Sequence, residues 1–321
     1  MPPGTPQMRR QLRQLIEIVG LTNESVELVN AVYQPWTARV SYYFPIEAAG
    51  LDHTLFAQPE VHPARFQMEP DASLVAIDGG QPVGWVQAGY VSNIPSIPDG
   101  ERDALIRCLM VAEGRTDVAR ELLDRALEVL ARQPVHAWQA FEHNCGYTFA
   151  TGIGKAPHRM TSVMAVLAGA GFRSGDINLV YATNSLRSLS PSRAQALSAI
   201  DVQVLPRGWS EPAANVEWDQ FNIFEHSEQV GYATVVPVGR LTGMPSEDTL
   251  FIKGIAVEPQ HHRRGIGHFI MNTLWDYYHP QGINRLLLNT GDNNITAQKF
   301  YEAIGFQLTD LISSFVIPPP K

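Results

Sequence analysis

Two runs of residues near the C-terminus have types and spacings that could do chemistry. The first is Pro259-Gln-His-His-Arg-Arg-Gly265-Ile-Gly267-His268, a basic turn with two glycines between an apolar stretch and an amphipathic one. A turn of this kind at the start of a helix offers free backbone N–H groups and the positive end of the helix dipole to an anion. Glycines let the backbone approach such a ligand closely, and Arg263 and Arg264 can add charge-assisted hydrogen bonds. The second run is Asn294-Ile-Thr-Ala297-Gln-Lys-Phe-Tyr301-Glu-Ala-Ile-Gly305-Phe306, with an Asn and a Tyr seven residues apart on a second helical stretch. Residues 262–267 therefore read as a pyrophosphate cradle, and Tyr301 as a phenol placed to donate a proton.

The elements that must position these runs occur twice. Pro82-Val-Gly-Trp85 matches Gln229-Val-Gly-Tyr232, and Ile106–Val111 matches Ile252–Val257. Gly171-Phe172 and the strand after it match Gly305-Phe306 and its strand. The offsets are 147, 146 and 134 residues, so the first copy carries an insertion, which residues 144–157 fit. Each copy reads as hairpin, strand, helix, strand, helix, strand. The helix after the cradle places Ile266, Phe269, Ile270, Thr273, Leu274 and Tyr277 on one face. The copies differ in their approach to the hairpin. The first has about 70 residues before it, including a helix from about Glu24 to Val32, and the second has only about 35 after a linker at Ser185–Arg193.

These elements, in this order, resemble the GCN5-related N-acetyltransferase (GNAT) superfamily. Ile255–Gly267 looks like its acetyl-CoA motif, and Asn294-x-x-Ala297-x-x-x-Tyr301-x-x-x-Gly305-Phe306 like its second motif. The tandem arrangement is similar to that of mycothiol synthase and a few other double-GNAT proteins. The resemblance implies an α/β (α+β) fold of two tandem GNAT-like domains, each a mixed central sheet flanked by helices. Their expected extents are 1–184 and 185–321. It implies acetyl-CoA as co-substrate, with its pantetheine beside the strand 252–257 and paired with backbone near Ile255, Ala256 and Val257. It places the pyrophosphate on His262, Arg263, Arg264, Gly265, Ile266, Gly267 and His268. It further implies an acyl carbonyl polarised by a backbone N–H of that strand, Asn294 against the pantetheine arm, and Tyr301 beside the sulfur. The activity implied is acetyl transfer to a primary amine, small molecule or peptide, by direct attack.

Two departures stand out. His262 occupies the place of the motif's Gln or Arg, and Asn289 stands where some relatives carry a catalytic Glu. Asn cannot take a proton. A water chain, Glu258, Asp292, a residue lent by the other domain, or an amine that arrives neutral must serve. The first copy departs further: Asp117 replaces the first motif glycine, and Leu167 stands where Tyr301 stands. The carboxylate of Asp117, or Thr116, would cap that helix itself and repel a pyrophosphate. The first domain is thus expected to be a degenerate copy that shapes the acceptor site or is structural. Parts of the acceptor pocket are expected from Val91–Ala104 and from 144–157.

Composition bounds the rest. At 321 residues two domains are expected, and a net charge of −8 argues against a nucleic-acid partner, including a tRNA-linked acyl donor. His261, His262 and His268 lack the carboxylate or cysteine that would complete a metal set, and Cys108 and Cys145 lack ligand spacing. No apolar run reaches membrane length and no secretory leader is read, so the expected compartment is the cytoplasm. The rival to an enzyme is an acyl-CoA-binding sensor or scaffold without turnover. The oligomeric state is not readable.

Overall fold

Gly79 and Gly80, both at positive φ (57° and 81°), fold residues 74–92 back on themselves, because only such residues turn two strands this tightly without strain. That hairpin seeds the first half. The computed structural model describes residues 16–56, 65–92, 97–151, 153–188, 190, 197–211 and 216–317. The first half runs β1 (Ile16–Gly20), α1 (Val26–Thr37), α2 (Ala48–Phe56), β2 (Arg65–Met68), β3 (Leu74–Asp78), β4 (Gln81–Ser92), β5 (Asp103–Val111), α3 (Thr116–Leu130), β6 (Trp138–Ala140), β7 (Ala156–Pro157), α4 (Thr161–Gly169) and β8 (Arg173–Thr183). The second runs β9 (Ile200–Glu211), β10 (Val216–Glu225), β11 (Glu228–Pro237), α5 (Val238–Thr242), β12 (Thr249–Val257), α6 (Ile266–Tyr278), β13 (Arg285–Gly291), α7 (Ile295–Ile304) and β14 (Gln307–Ile317). The repeat read from the sequence is present, and the second half passes from β9 to β10 without the helices that follow β1.

All strands join one mixed sheet in the order β1-β3-β4-β5-β6-β14-β8-β13-β12-β11-β10-β9, with β2 on β4 and β7 on β14. The closing strands are exchanged. β8, from the first half, pairs with β13 of the second, and β14 pairs with β6 and β7 of the first. β8 and β14 also pair with each other, so each half is completed by the other's last strand.

Two large cores follow from this. One gathers Ile252, Leu286 and Leu288 of the sheet against Ile266, Ile270, Met271 and Leu274 of α6 and Tyr301 of α7. The other contains the first half's own core and continues onto the opposite face of the second half, where Phe251, Leu287, Val236 and Leu241 meet it. Segment 41–47 makes much of that junction. Ser41 O accepts from Arg285 Nη2 at 2.8 Å, and Glu47 N donates to Thr242 O at 3.3 Å. The first half thus covers part of the face that the second half's missing arm leaves open. The buried stripe of α6 ends at Tyr278 rather than Tyr277. Tyr278 carries its hydroxyl to buried Asp219, while Tyr277 is 40% exposed with its ring edge-on to Phe221.

Candidate active site

β12 and β13 begin as neighbours and then part. They are paired in parallel only from Thr249–Ile252 against Arg285–Leu288, and both strands continue beyond that point. The cause lies on β12. Thr234 of β11 faces Gly254 and Val235 faces Ile252, which leaves Lys253 as an extra residue. A bulge of this kind bends its strand away from a neighbour. Glu258 N donates to Val230 O at 2.9 Å, so by strand alternation the peptide groups of Ile255 and Val257 face away from β11 and into the splay. Beyond Ile252 that side of the strand has no partner strand among the described residues.

The splay opens beside the start of α6. Arg263 and Gly265 are in the left-handed region (φ 60° and 93°), an alternation that turns successive N–H groups toward one point. The N–H groups of Arg263, Arg264, Gly265, Ile266, Gly267 and His268 have no partner among the described residues, and the first helical bond is Phe269 N to Gly265 O. No side chain of the described residues caps this helix. The two glycines do different work. Gly265 supplies the positive φ. A Cβ on Gly267 would lie 3.2 Å from Phe300 Cζ, so Gly267 permits the close approach of α6 to α7.

The basic side chains are partly committed. Arg264 is bidentate to Glu225 (2.6 and 2.7 Å) and contacts His261 Nδ1, which holds the Glu225 carboxyl below the usual carboxylate range. Arg263 is exposed and makes no ion pair among the described residues. His262 Nε2–H donates to Val257 O at 2.8 Å, fastening the turn to β12. His268 Nε2–H donates to Arg187 O. The three histidines therefore face different partners, and no group of three metal-ligating side chains occurs among the described residues.

Tyr301 lies in the core on the α6 face of the sheet, 7% exposed, with ring contacts to Tyr181, Phe300 and Phe306 at centroid distances of 5.4–5.9 Å. Burial pushes its phenol up to about 12, so it is protonated throughout the neutral range. Asn294 is the N-cap of α7, its Oδ1 accepting from Ala297 N at 3.2 Å; its Nδ2 has no partner among the described residues. Asn294→Ala should cost about 1 kcal/mol of stability through the lost cap, read as a lower midpoint in urea unfolding with unchanged slope.

Asn289 lies on β13 past the last rung shared with β12. Its Oδ1 accepts from Asn178 Nδ2 at 2.7 Å, and Asn178 Oδ1 accepts from Lys155 Nζ. Asn178 and Tyr181 both come from β8, and Lys155 from the inserted segment. These are the site residues that the sequence did not reveal, because strand exchange leaves no local signal. Glu258 and Asp292 are exposed. The described part of Val91–Ala104 does not reach this site: Val91 and Ile97 pack with Leu105 and Cys145 inside the first half. A cleft of about 540 Å³ lined by Ser41, Arg159, Glu247, Arg285 and Thr309 lies at the opposite end of β13 from the splay.

The first half repeats the splay and fills it. β5 and β6 pair only over Ala104–Ile106, with Arg107 as the extra residue of the matching bulge. Arg107 donates to Cys145 O, Gly146 O and Gln87 Oε1 (2.9–3.0 Å) and lies 4.1 Å from the Tyr147 ring. Trp36 Nε1–H donates at 3.0 Å to Val111 O, the counterpart of the carbonyl that His262 takes in the second half. At the start of α3, Arg115 folds back onto Asp117 (3.0 Å) and Asp78 (2.9 Å). Arg115 is the first cause of the lowered pKa of Asp117, and the N–H of Val118 adds to it, while Thr116 Oγ1 donates to Ser162 rather than to the helix end.

Residues 196–306 match the model of the Acetyltransferase (GNAT) family. No curated protein matches the chain in sequence. Among solved structures, a tandem GNAT protein from the clavulanic acid biosynthesis pathway superposes with a TM-score of 0.62 at 14% identity, covering 95% of this chain and 100% of its own. A GCN5-related N-acetyltransferase from Sphaerobacter thermophilus gives 0.56 at 10% identity, covering 95% and 96%. A GNAT-family acetyltransferase from Colwellia psychrerythraea gives 0.51 at 14% identity, covering 94% and 99%. With the splay and the uncapped cradle inside the matched segment, residues 196–306 are a GNAT acetyltransferase domain, carried in a chain that shares the fold of a solved tandem GNAT protein.

Proposed function

We propose that this chain moves an acetyl group from acetyl-CoA, held by the second half, to a primary amine of a small molecule or peptide. The observation that carries the reading is the splay between β12 and β13, which opens on the uncapped start of α6, with Tyr301 in the core on that same face of the sheet. In this reading the N–H groups of residues 263–268 hold the pyrophosphate, with Arg263 adding charge and Arg264 shaping the turn through Glu225. The peptide groups of Ile255 and Val257 hold the pantetheine, with Ala256 between them paired to β11. An N–H of that strand polarises the thioester carbonyl.

The amine nitrogen attacks the carbonyl carbon directly and the C–S bond breaks. An acceptor that arrives as an ammonium loses two protons overall, one to solvent or a base before attack and one to the departing sulfur, and an amine that arrives neutral loses only the second. Tyr301 is a weaker acid than an alkyl thiol of about 8.5, so its contribution is a hydrogen bond to the developing thiolate, with proton delivery completed as the nitrogen gives up its own. A water chain, Glu258 and Asp292 remain as takers of the other proton.

The first half, proposed as residues 1–184, serves as scaffold and as a wall of the acceptor site of the second, 185–321. Its own splay is plugged by Arg107 and Tyr147, and its helix start is occupied by Arg115 and Asp117. The compartment proposed is the cytoplasm, which suits Cys108 and Cys145: both are free, buried and pushed up by burial. No helix of the described residues is long and apolar enough to cross a membrane.

Acetyl-CoA should raise the unfolding temperature in a concentration-dependent way and release thiol when a panel of primary amines is supplied. Binding without thiol release across the panel would favour a sensor; no binding would sink both readings.

A further inference from the structure

Lys155 is buried, 4% exposed, and its Nζ donates to the neutral amide of Asn178. Taking an ammonium out of water against such a partner costs stability. Burial accordingly draws its pKa down, while Asp176 on β8, Glu142 after β6 and Asp292 after β13 act the other way. A group that costs stability where it sits points to a function.

A lysine ammonium only donates. The atom of Asn178 that meets it must therefore be Oδ1, which turns Asn178 Nδ2 toward Asn289, and the atom of Asn289 that meets Nδ2 must in turn be Oδ1. One cation thus fixes the direction of two amides. Asn289 Nδ2 is the group left over, without a partner among the described residues. It lies on the part of β13 that borders the splay. Leu287, two residues earlier on the same strand face, packs into the core that the first half shares, whereas Tyr301 belongs to the core on the other face.

We propose that Lys155 is a positioning residue for the second half's transfer site: through Asn178 it holds the Asn289 amide with its –NH2 free to donate to the acceptor. This rests on the acyl-transfer reading and narrows it. An –NH2 aimed at the attacking nitrogen would engage the lone pair that must attack, so it reads an oxygen instead. The acceptor class is an amine with a carbonyl, carboxylate or hydroxyl oxygen near the nucleophilic nitrogen. No proton passes along the chain, because each amide keeps its own.

The test compares wild type with Lys155→Met, Lys155→Arg and Asn178→Ala. Readouts are the side-chain amide resonances of Asn289 (assigned with Asn289→Ala), unfolding temperature, acetyl-CoA affinity, and acetyl transfer to glycinamide against propylamine. Lys155→Met and Asn178→Ala should shift the Asn289 amide and reduce the preference for glycinamide by on the order of tenfold. Acetyl-CoA affinity should stay within about twofold. Lys155→Met should unfold at the same or a higher temperature, and Lys155→Arg, again a pure donor, should restore the amide signal. An Asn289 amide unmoved by Lys155→Met, or an activity loss that only follows a lower unfolding temperature, would overturn the proposal. Absence of transfer by wild type to either amine would count against the acyl-transfer reading, while the amide resonances still decide the Lys155 chain.

Discussion

Gly265→Val should weaken acetyl-CoA binding by more than about a hundredfold, roughly 3 kcal/mol. At φ 93° a β-branched residue is strained by about 1–3 kcal/mol, and the turn relieves that strain by rotating its peptide groups. The N–H groups of residues 263–268 then cease to converge, and hydrogen bonds to a charged ligand contribute about 1.5–3 kcal/mol each. Gly267→Val should behave differently. Its Cβ meets the Phe300 ring, so the added bulk forces α6 and α7 apart and costs about 1–3 kcal/mol of stability. Calorimetric titration with acetyl-CoA beside thermal unfolding separates the two. Gly265→Val should lose more in affinity than in stability, and Gly267→Val should show the larger fall in unfolding temperature. Wild-type affinity in Gly265→Val would mean that the cradle does not hold the cofactor.

Tyr301→Phe should lower kcat by on the order of 10²–10³ while leaving acetyl-CoA affinity near that of wild type. The ring stays in its cluster with Tyr181, Phe300 and Phe306, so packing is preserved and only the hydroxyl goes. Because burial holds the phenol at about 12, its ionisation should leave no mark on the rate between about pH 6 and 9. The deficit of Tyr301→Phe should therefore be constant across that window. For stability the sign is fixed: the neutral phenol is favoured in the folded state, so its contribution is intact below pH of about 10 and declines above it. A turnover equal to wild type with a verified acceptor would remove Tyr301 from the chemistry.

Much of this site was legible because local sequence dictates it. Gly265 marks a left-handed turn, the stripe on α6 marks a helix, and the spacing from Asn294 to Tyr301 survives as a cap and a buried ring on one helix. The repeat was legible as well, down to the basic residues Arg107 and Lys253, 146 positions apart, that become the two bulges. What the sequence hid is non-local. The exchange of β8 and β14 depends on which apolar edge each strand meets after the chain has crossed the molecule, and β-rich runs fit either edge equally well. Lys155, Asn178 and Tyr181 reach the second half only through that exchange. The roles of Gly267 and Arg264 were likewise set by partners distant in sequence, Phe300 and Glu225.

The most direct test of the central claim is a crystal structure of the chain soaked with acetyl-CoA. Density should appear with the pyrophosphate on residues 263–268 and the pantetheine between β12 and β13 along Ile255 and Val257, with the thioester near Tyr301. Density along β5 with its pyrophosphate at 112–118, in place of or equal to the other, would contradict the assignment of the cofactor to the second half.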